Sequence, residues 1–127
     1  MSGGPVRLDP PDMRFAGMSQ GVRCGEFILV SGQVALDGGK VVGEGDAEAQ
    51  ARQCFANIGK VLAEAGASLA DIVSLRCYLT AAGHYSGYGK VKAELLGEAA
   101  PASSAMIVAG LLVPGLLMEV EAVAWRR

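Results

Sequence analysis

The chain has 127 residues, of which 51% are hydrophobic and 19% charged, and its net charge is −2. That length suits one domain with a single core, and no window gathers Lys or Arg into the stripe that a nucleic-acid surface needs to displace counterions. With a mean hydropathy of +0.34, the composition is apolar for an isolated monomer, so part of the surface is expected to be buried against a copy of the same chain.

The first dozen residues, rich in Gly, Pro and Asp, read as a tail or an irregular arm. "EFILVSGQ" (26–33) reads as an apolar strand, and "LDGGK" after it is turn chemistry. Asp46 is placed to cap a helix in which Ala51, Phe55, Ile58, Leu62 and Ala65 recur at steps of three and four, forming one apolar face. Gly66 is placed to end it with a left-handed backbone. "IVSLRCYLT" (72–80) alternates as a strand, with Val73, Leu75, Cys77 and Leu79 on one side and Ser74, Arg76, Tyr78 and Thr80 on the other. A second helix is expected from His84 to Leu96, burying Tyr85, Tyr88, Val91 and Leu95.

From Ala99 to Met118 the chain carries no charge, which is the length of a membrane span. Pro101, Gly110, Pro114 and Gly115 interrupt it, so two strands, at about 104–110 and 117–125, joined by a Pro-Gly turn, are the better reading. No membrane association is expected. The order β-β-α-β-α-β-β predicts an α+β fold, a two-layer sandwich with both helices on one face of the sheet. The opposite face then has nothing from its own chain to cover it, which predicts a subunit interface. In the last strand Met118, Val120, Ala122 and Ala124 are expected toward the helices. Glu119 and Glu121 then share the open face with Leu117, Val123 and Trp125. A half-buried carboxylate is costly unless paired, so these two mark either an internal ion pair or a functional site.

Cys24, Cys54 and Cys77 are scattered, with no C-x-x-C pair. With no basic, apolar leader at the N-terminus, they imply three buried thiols in a reducing cytoplasm. One histidine and three separated cysteines offer no metal-ligand spacing, and no cofactor is implied. "GYGK" (87–90) lacks the flanking residues of a phosphate loop.

Three stretches together, "SQGVRCGEFILVSGQVALD" (19–37), "EAQARQCFANIGKVLAEAGASLADIV" (48–73) and "MEVEAVAWRR" (118–127), resemble the YjgF/YER057c/UK114 family, also called the Rid family of reactive-intermediate deaminases. The resemblance covers nearly the whole chain. It implies a chorismate-mutase-like fold, a homotrimer whose sheets face a common centre, and small-molecule sites in the clefts between subunits. The best-known members hydrolyse 2-imino acids or their enamine tautomers to 2-oxo acids and ammonia. That chemistry needs a water held against the imine carbon and an anchor for the substrate carboxylate.

Carried over by position, Glu119 matches the glutamate that holds the water, while Glu121 reads as structural. Ser103, in "PASS", stands where the anchoring arginine belongs. Ala105 replaces a frequent cysteine, Met18 a tyrosine and Gly89 a frequent asparagine, and the turn from 110 to 117 is one residue longer. Gly32 belongs to the same binding set, and Tyr88 is an expected aromatic wall. Losing a charge-assisted fork to a carboxylate costs about 1.5–3 kcal/mol per bond, so efficient turnover of small 2-imino acids is not expected. The expectation is a Rid-like trimer that binds a bulkier, less acidic ligand and, if catalytic, hydrolyses an imine, an enamine or a related C–N bond. A non-catalytic ligand-binding or stabilising trimer is the alternative. The ribonuclease activity sometimes attributed to the family conflicts with an acidic pI of about 5.3. Arg14, Arg23 and Arg76 are left as substitute anchors.

Overall fold

In a computed structural model that describes residues 3–127, two helices pack on one face of a six-stranded sheet. The strands are β1 (Val6–Leu8), β2 (Gly21–Cys24), β3 (Phe27–Val34), β6 (Ile72–Leu79), β7 (Ala102–Ile107) and β8 (Met118–Trp125), in the spatial order β1-β2-β3-β8-β6-β7. A separate two-stranded ribbon, β4 (Leu36–Asp37) with β5 (Lys40–Val41), occupies the predicted turn. Only β6 and β7 run parallel; the other neighbours in the large sheet are antiparallel, so the sheet is mixed.

Helix α1 (Ala47–Ala63) begins where Asp46, in an extended conformation, accepts a hydrogen bond from Ala49 N at 3.0 Å. Such a cap is worth about 1 kcal/mol. Beyond the last turn Gly66 takes φ +70°, and Ala67 N donates back to Leu62 O. The predicted apolar stripe is buried: Ala51, Phe55, Ile58 and Leu62 are inaccessible, each large side chain contributing roughly 1.5–3 kcal/mol by leaving water. Ala65 packs at the margin of this core. Helix α2 (Tyr85–Leu96) lies against α1, with Tyr88, Val91 and Leu96 buried. Tyr85 and Leu95, expected on that face, are substantially exposed, because the helix turns its 88–91–96 edge inward.

Four further features depart from the sequence reading. The N-terminal arm is not a free tail, since β1 pairs with β2 and buries Leu8. The registers of β3 and β6 against β8 shift at 30–33 and 72–74. The second shift turns Val73 outward and puts Ile72 in the core with Leu75, Cys77 and Leu79. Cys24 sits exposed near the end of the β2–β3 hairpin, whereas Cys54 and Cys77 are buried. Burial raises both buried thiols, Cys77 to about 12, so neither is a nucleophile near neutral pH.

The alternation in β8 falls as expected. Met118, Val120, Ala122 and Ala124 are buried under the helices, and Glu119, Glu121, Val123 and Trp125 lie on the other face. Phe27 pairs with Trp125 and Leu29 with Val123, so the open face carries large apolar side chains at exposures of 50% for Phe27 and 46% for Leu29. No helix among the described residues is long and apolar enough to cross a membrane.

Candidate functional site

Glu119 sits where the third and sixth strands meet β8. Its register partners are Val34 on β3 and Tyr78 on β6. Two pairs along β6 and β8, past Cys77 and Val120, Arg76 faces Glu121. Paired residues in a sheet project to the same side, so Glu119, Tyr78, Glu121 and Arg76 form one polar patch on the open face.

The β3 irregularity makes room for it. Ser31 Oγ donates to Ser19 O at 2.7 Å, and Gln33 Nε2 donates to Gln20 Oε1 and to Ser31 O, so the segment before β2 is tied to the shifted part of β3. Between them, Gly32 presents bare backbone to Glu119: a Cβ at this position would overlap the carboxylate. Glu119 therefore occupies space that only a glycine leaves.

A cavity of about 280 Å³ opens here, lined by Gly32, Tyr78, Val108, Gly110, Leu111, Glu119 and Glu121. Val108 and Leu111 are its apolar side chains, and its polar groups are two carboxylates and one phenol. Tyr78 Oη donates to Glu121 Oε1. Glu119 has no hydrogen-bond or ion-pair partner among the described residues. Burial, and then the charge of Glu121, raise its pKa above the usual 4.5. The phenol of Tyr78 is also raised, first by its bond to Glu121, with the Arg76 guanidinium acting in the opposite direction. A half-buried carboxylate with increased proton affinity and a free acceptor face is equipped to hold a water and exchange a proton with it.

The other expected site residues disperse. Ser103 and Ala105 pair with Leu75 and Cys77, whose side chains point toward the helices, so they face away from Glu119. Both are exposed on the edge strand, and Ser103 Oγ donates to Pro101 O at 3.0 Å. Met18 lines a separate depression with Arg7, Gly17 and Ser19. Tyr88 is not an aromatic wall of this cavity: it is fully buried on the helix side, stacked on Phe55 at 5.9 Å between ring centroids. Gly89 follows it on α2, beside the Tyr85 ring. The aromatic residue that lines the cavity is Tyr78, which the alternation of residues 72–80 places on the side opposite Leu75 and Cys77.

Two of the three spare arginines are also located. Arg23 is fully engaged, donating to Gly25 O, Ala65 O and Arg126 O at 2.7–3.0 Å. Arg14 belongs to a larger, open depression of about 700 Å³ with Arg7, Asp9 and Glu64, formed by the N-terminal arm and α1 and lined by none of the Glu119 patch. Only Arg76 shares the face of Glu119. No group of three or more His, Cys, Asp or Glu among the described residues is placed to hold a metal.

Residues 13–126 match the protein family described as Endoribonuclease L-PSP. The chain belongs to this family. Solved structures that resemble it carry the synonym YjgF/YER057c/UK114: Rv2704 of Mycobacterium tuberculosis, a member of that family, superposes with a TM-score of 0.83 at 31% identity, covering 96% of this chain and 99% of the other. YyfA of Yersinia pestis, of the Rid protein family, gives a TM-score of 0.88 at 26% identity over 96% of this chain and 99% of its own. By sequence, a RutC family protein of Pyrococcus abyssi is 37% identical over 110 residues, 85% of each chain, and the mitochondrial protein mmf1 of Schizosaccharomyces pombe is 34% identical over 92% of this chain and 74% of its own. The mixed sheet backed by two helices is thus the YjgF-family, chorismate-mutase-like fold.

Proposed function

We propose that this YjgF-family protein binds a small molecule in clefts between the subunits of a homotrimer and hydrolyses an imine, an enamine or a related C–N bond, with Glu119 holding the attacking water. The observation that carries this reading is the half-buried, unpartnered carboxylate of Glu119 against Gly32. Proton affinity above that of an ordinary glutamate suits a group that takes a proton from water and returns it to a departing amine. A shared site is supported by the sheet, in which Ser103 and Ala105 lie on the face opposite Glu119, so one chain does not bring them together. An edge strand β7 from a second copy, laid on the apolar open face, would do so. The reaction is envisaged in the cytoplasm, without metal or cofactor.

Ser103 limits the substrate. Its hydroxyl is bonded to its own backbone, and the cavity beside Glu119 is lined by two carboxylates and no cation. A small 2-imino acid would find no guanidinium fork in the lining, and Arg76, on the same face, already donates to Tyr78, so a larger, less acidic ligand is favoured. The same observation supports the second reading, a trimer that binds ligands without turnover. Ribonuclease activity has less support, because a phosphate backbone would meet carboxylates.

An assay that generates 2-aminoacrylate or 2-iminobutyrate in situ separates these readings when run with the native chain, Ser103→Arg and Glu119→Ala. Little acceleration by the native chain and a gain in Ser103→Arg that is lost again with Glu119→Ala would support the hydrolytic site. A gain that survives Glu119→Ala would overturn the role of Glu119. Binding of imine analogues or aromatic acids, seen by thermal shift, with no turnover in any variant would favour the non-catalytic trimer.

A further inference from the structure

Glu119 and Glu121 are neighbours on one face of β8, two residues and therefore about 6.6 Å apart along the strand. Two carboxylates on one strand face, in a partly buried site, repel each other and raise each other's proton affinity, so their titrations can couple. Here the two are treated differently. Glu119 has its free side against Gly32, while Glu121 accepts the hydroxyl of Tyr78. Tyr78 is at once the cross-strand partner of Glu119 and the hydrogen-bond donor to Glu121, and its side chain lines the cavity between them.

We propose that Tyr78 is a positioning residue of this site: its hydroxyl ties down Glu121, and so leaves Glu119 as the single carboxylate that exchanges protons with a bound water. This rests on the reading of Glu119 as the water-holding group, but the arrangement is a property of the free protein. The surroundings contain few competitors. On β6 the one other charged group is Arg76, which stands opposite Glu121 in register and also donates to the Tyr78 hydroxyl, so it favours the same arrangement of Tyr78 beside Glu121. On β3 the site faces Gly32 and Val34, on β7 it faces Ser104 and Met106, and the loop after β7 contributes Val108, Gly110 and Leu111, none of which titrates. Behind the sheet stand the buried thiols of Cys54 and Cys77, both held protonated by burial.

The test is carbon-13 NMR titration of the side-chain carboxyls in the whole protein, native and in two variants. Tyr78→Phe keeps the ring and removes the donor. The freed Glu121 can then approach Glu119 and share its proton, so the last proton to leave the pair should come off at higher pH than in the native chain, in two coupled steps. Glu121→Gln removes the neighbouring charge, and Glu119 should then titrate in one step at lower pH than native. Opposite shifts in the two variants support the proposal, since a merely structural tyrosine would move the melting temperature without moving the titration. An unchanged Glu119 titration in Tyr78→Phe overturns it, and an unchanged one in Glu121→Gln does so independently. These outcomes do not depend on turnover. Imine hydrolysis lost in Glu119→Ala, alongside a titration indifferent to Tyr78, would leave the function standing and the role of Tyr78 refuted.

Discussion

Gly32 on β3 and Glu119 on β8 occupy complementary space: the glutamate side chain fills the volume that any side chain at position 32 would need. Adding one methyl there is a clean way to move the carboxylate without changing its chemistry. In Gly32→Ala the flexible end of Glu119 must swing aside, a change the fold can absorb because the clash is with a side chain and not with backbone. We expect the melting temperature to stay close to native while Glu119-dependent turnover or ligand binding falls at least tenfold, which corresponds to about 1.4 kcal/mol. Thermal denaturation and the imine assay, run side by side, check both halves.

Glu119 should also leave a mark on stability. Burial first, and the charge of Glu121 second, raise its pKa above 4.5, so the folded chain holds this proton more tightly than the unfolded one. The stabilisation from that proton is complete below the unfolded value and disappears as pH rises through the folded value. At neutral pH the charged form is therefore a net cost. Glu119→Gln should melt higher than the native chain at pH 7, and the advantage should shrink as pH falls toward 4.5. Calorimetry across that range decides it; an equal advantage at both ends would mean the effect is not electrostatic.

How much of this was readable beforehand depends on the reach of each signal. Alternation is local, so the phase of β8 and the outward side of Glu119 followed directly from residues 117–125, and helix α1 followed from its apolar stripe. Strands β1 and β2 did not, because three or four residues such as Val6–Leu8 are too short for a period and gain their pairing from β3. The shift at 72–74 was equally hidden: nothing local distinguishes Val73, outward, from Ile72, inward. At the site, Tyr88 was assigned both to the buried face of α2 and to a cavity wall, two positions that exclude each other, and burial against Phe55 decides for the first. Tyr78 was legible as lying opposite the apolar side of its strand but not as the partner of Glu121, since that needs the β6–β8 register, which no single strand encodes.

The long turn before β8 is held by one buried side chain. Gln50, in the first turn of α1, donates to Gly43 O and Gly115 O and accepts from Leu117 N at 2.8 Å. Removing it takes a partner from Gly115 O and from Leu117 N, while Gly43 O keeps its bond from Asp46 N. Gln50→Ala should cost about 2 kcal/mol, the net loss of a few ordinary hydrogen bonds at a half-buried turn. Urea denaturation measures the loss, and faster amide exchange at Leu117 than elsewhere in the sheet would place it in this turn.

The core carries one polar defect that can be removed without opening a cavity. Tyr88 Oη is buried and has no hydrogen-bond partner among the described residues. Its ring, by contrast, is well used, stacked on Phe55 with an interplanar angle of 15° and approached by Lys92 Nζ at 5.5 Å from the centroid. An orphaned hydroxyl costs about 1–3 kcal/mol, offset in part by the contacts its oxygen makes. Tyr88→Phe keeps the stack, the Lys92 contact and nearly all the volume, so it should stabilise the fold by about 1 kcal/mol. Because Tyr88 lies on the helix side of the sheet, the same substitution should leave the Glu119 titration and any imine turnover unchanged. A drop in stability would reveal a partner for the hydroxyl, such as a trapped water, and a drop in turnover would put Tyr88 back among the groups that shape the site.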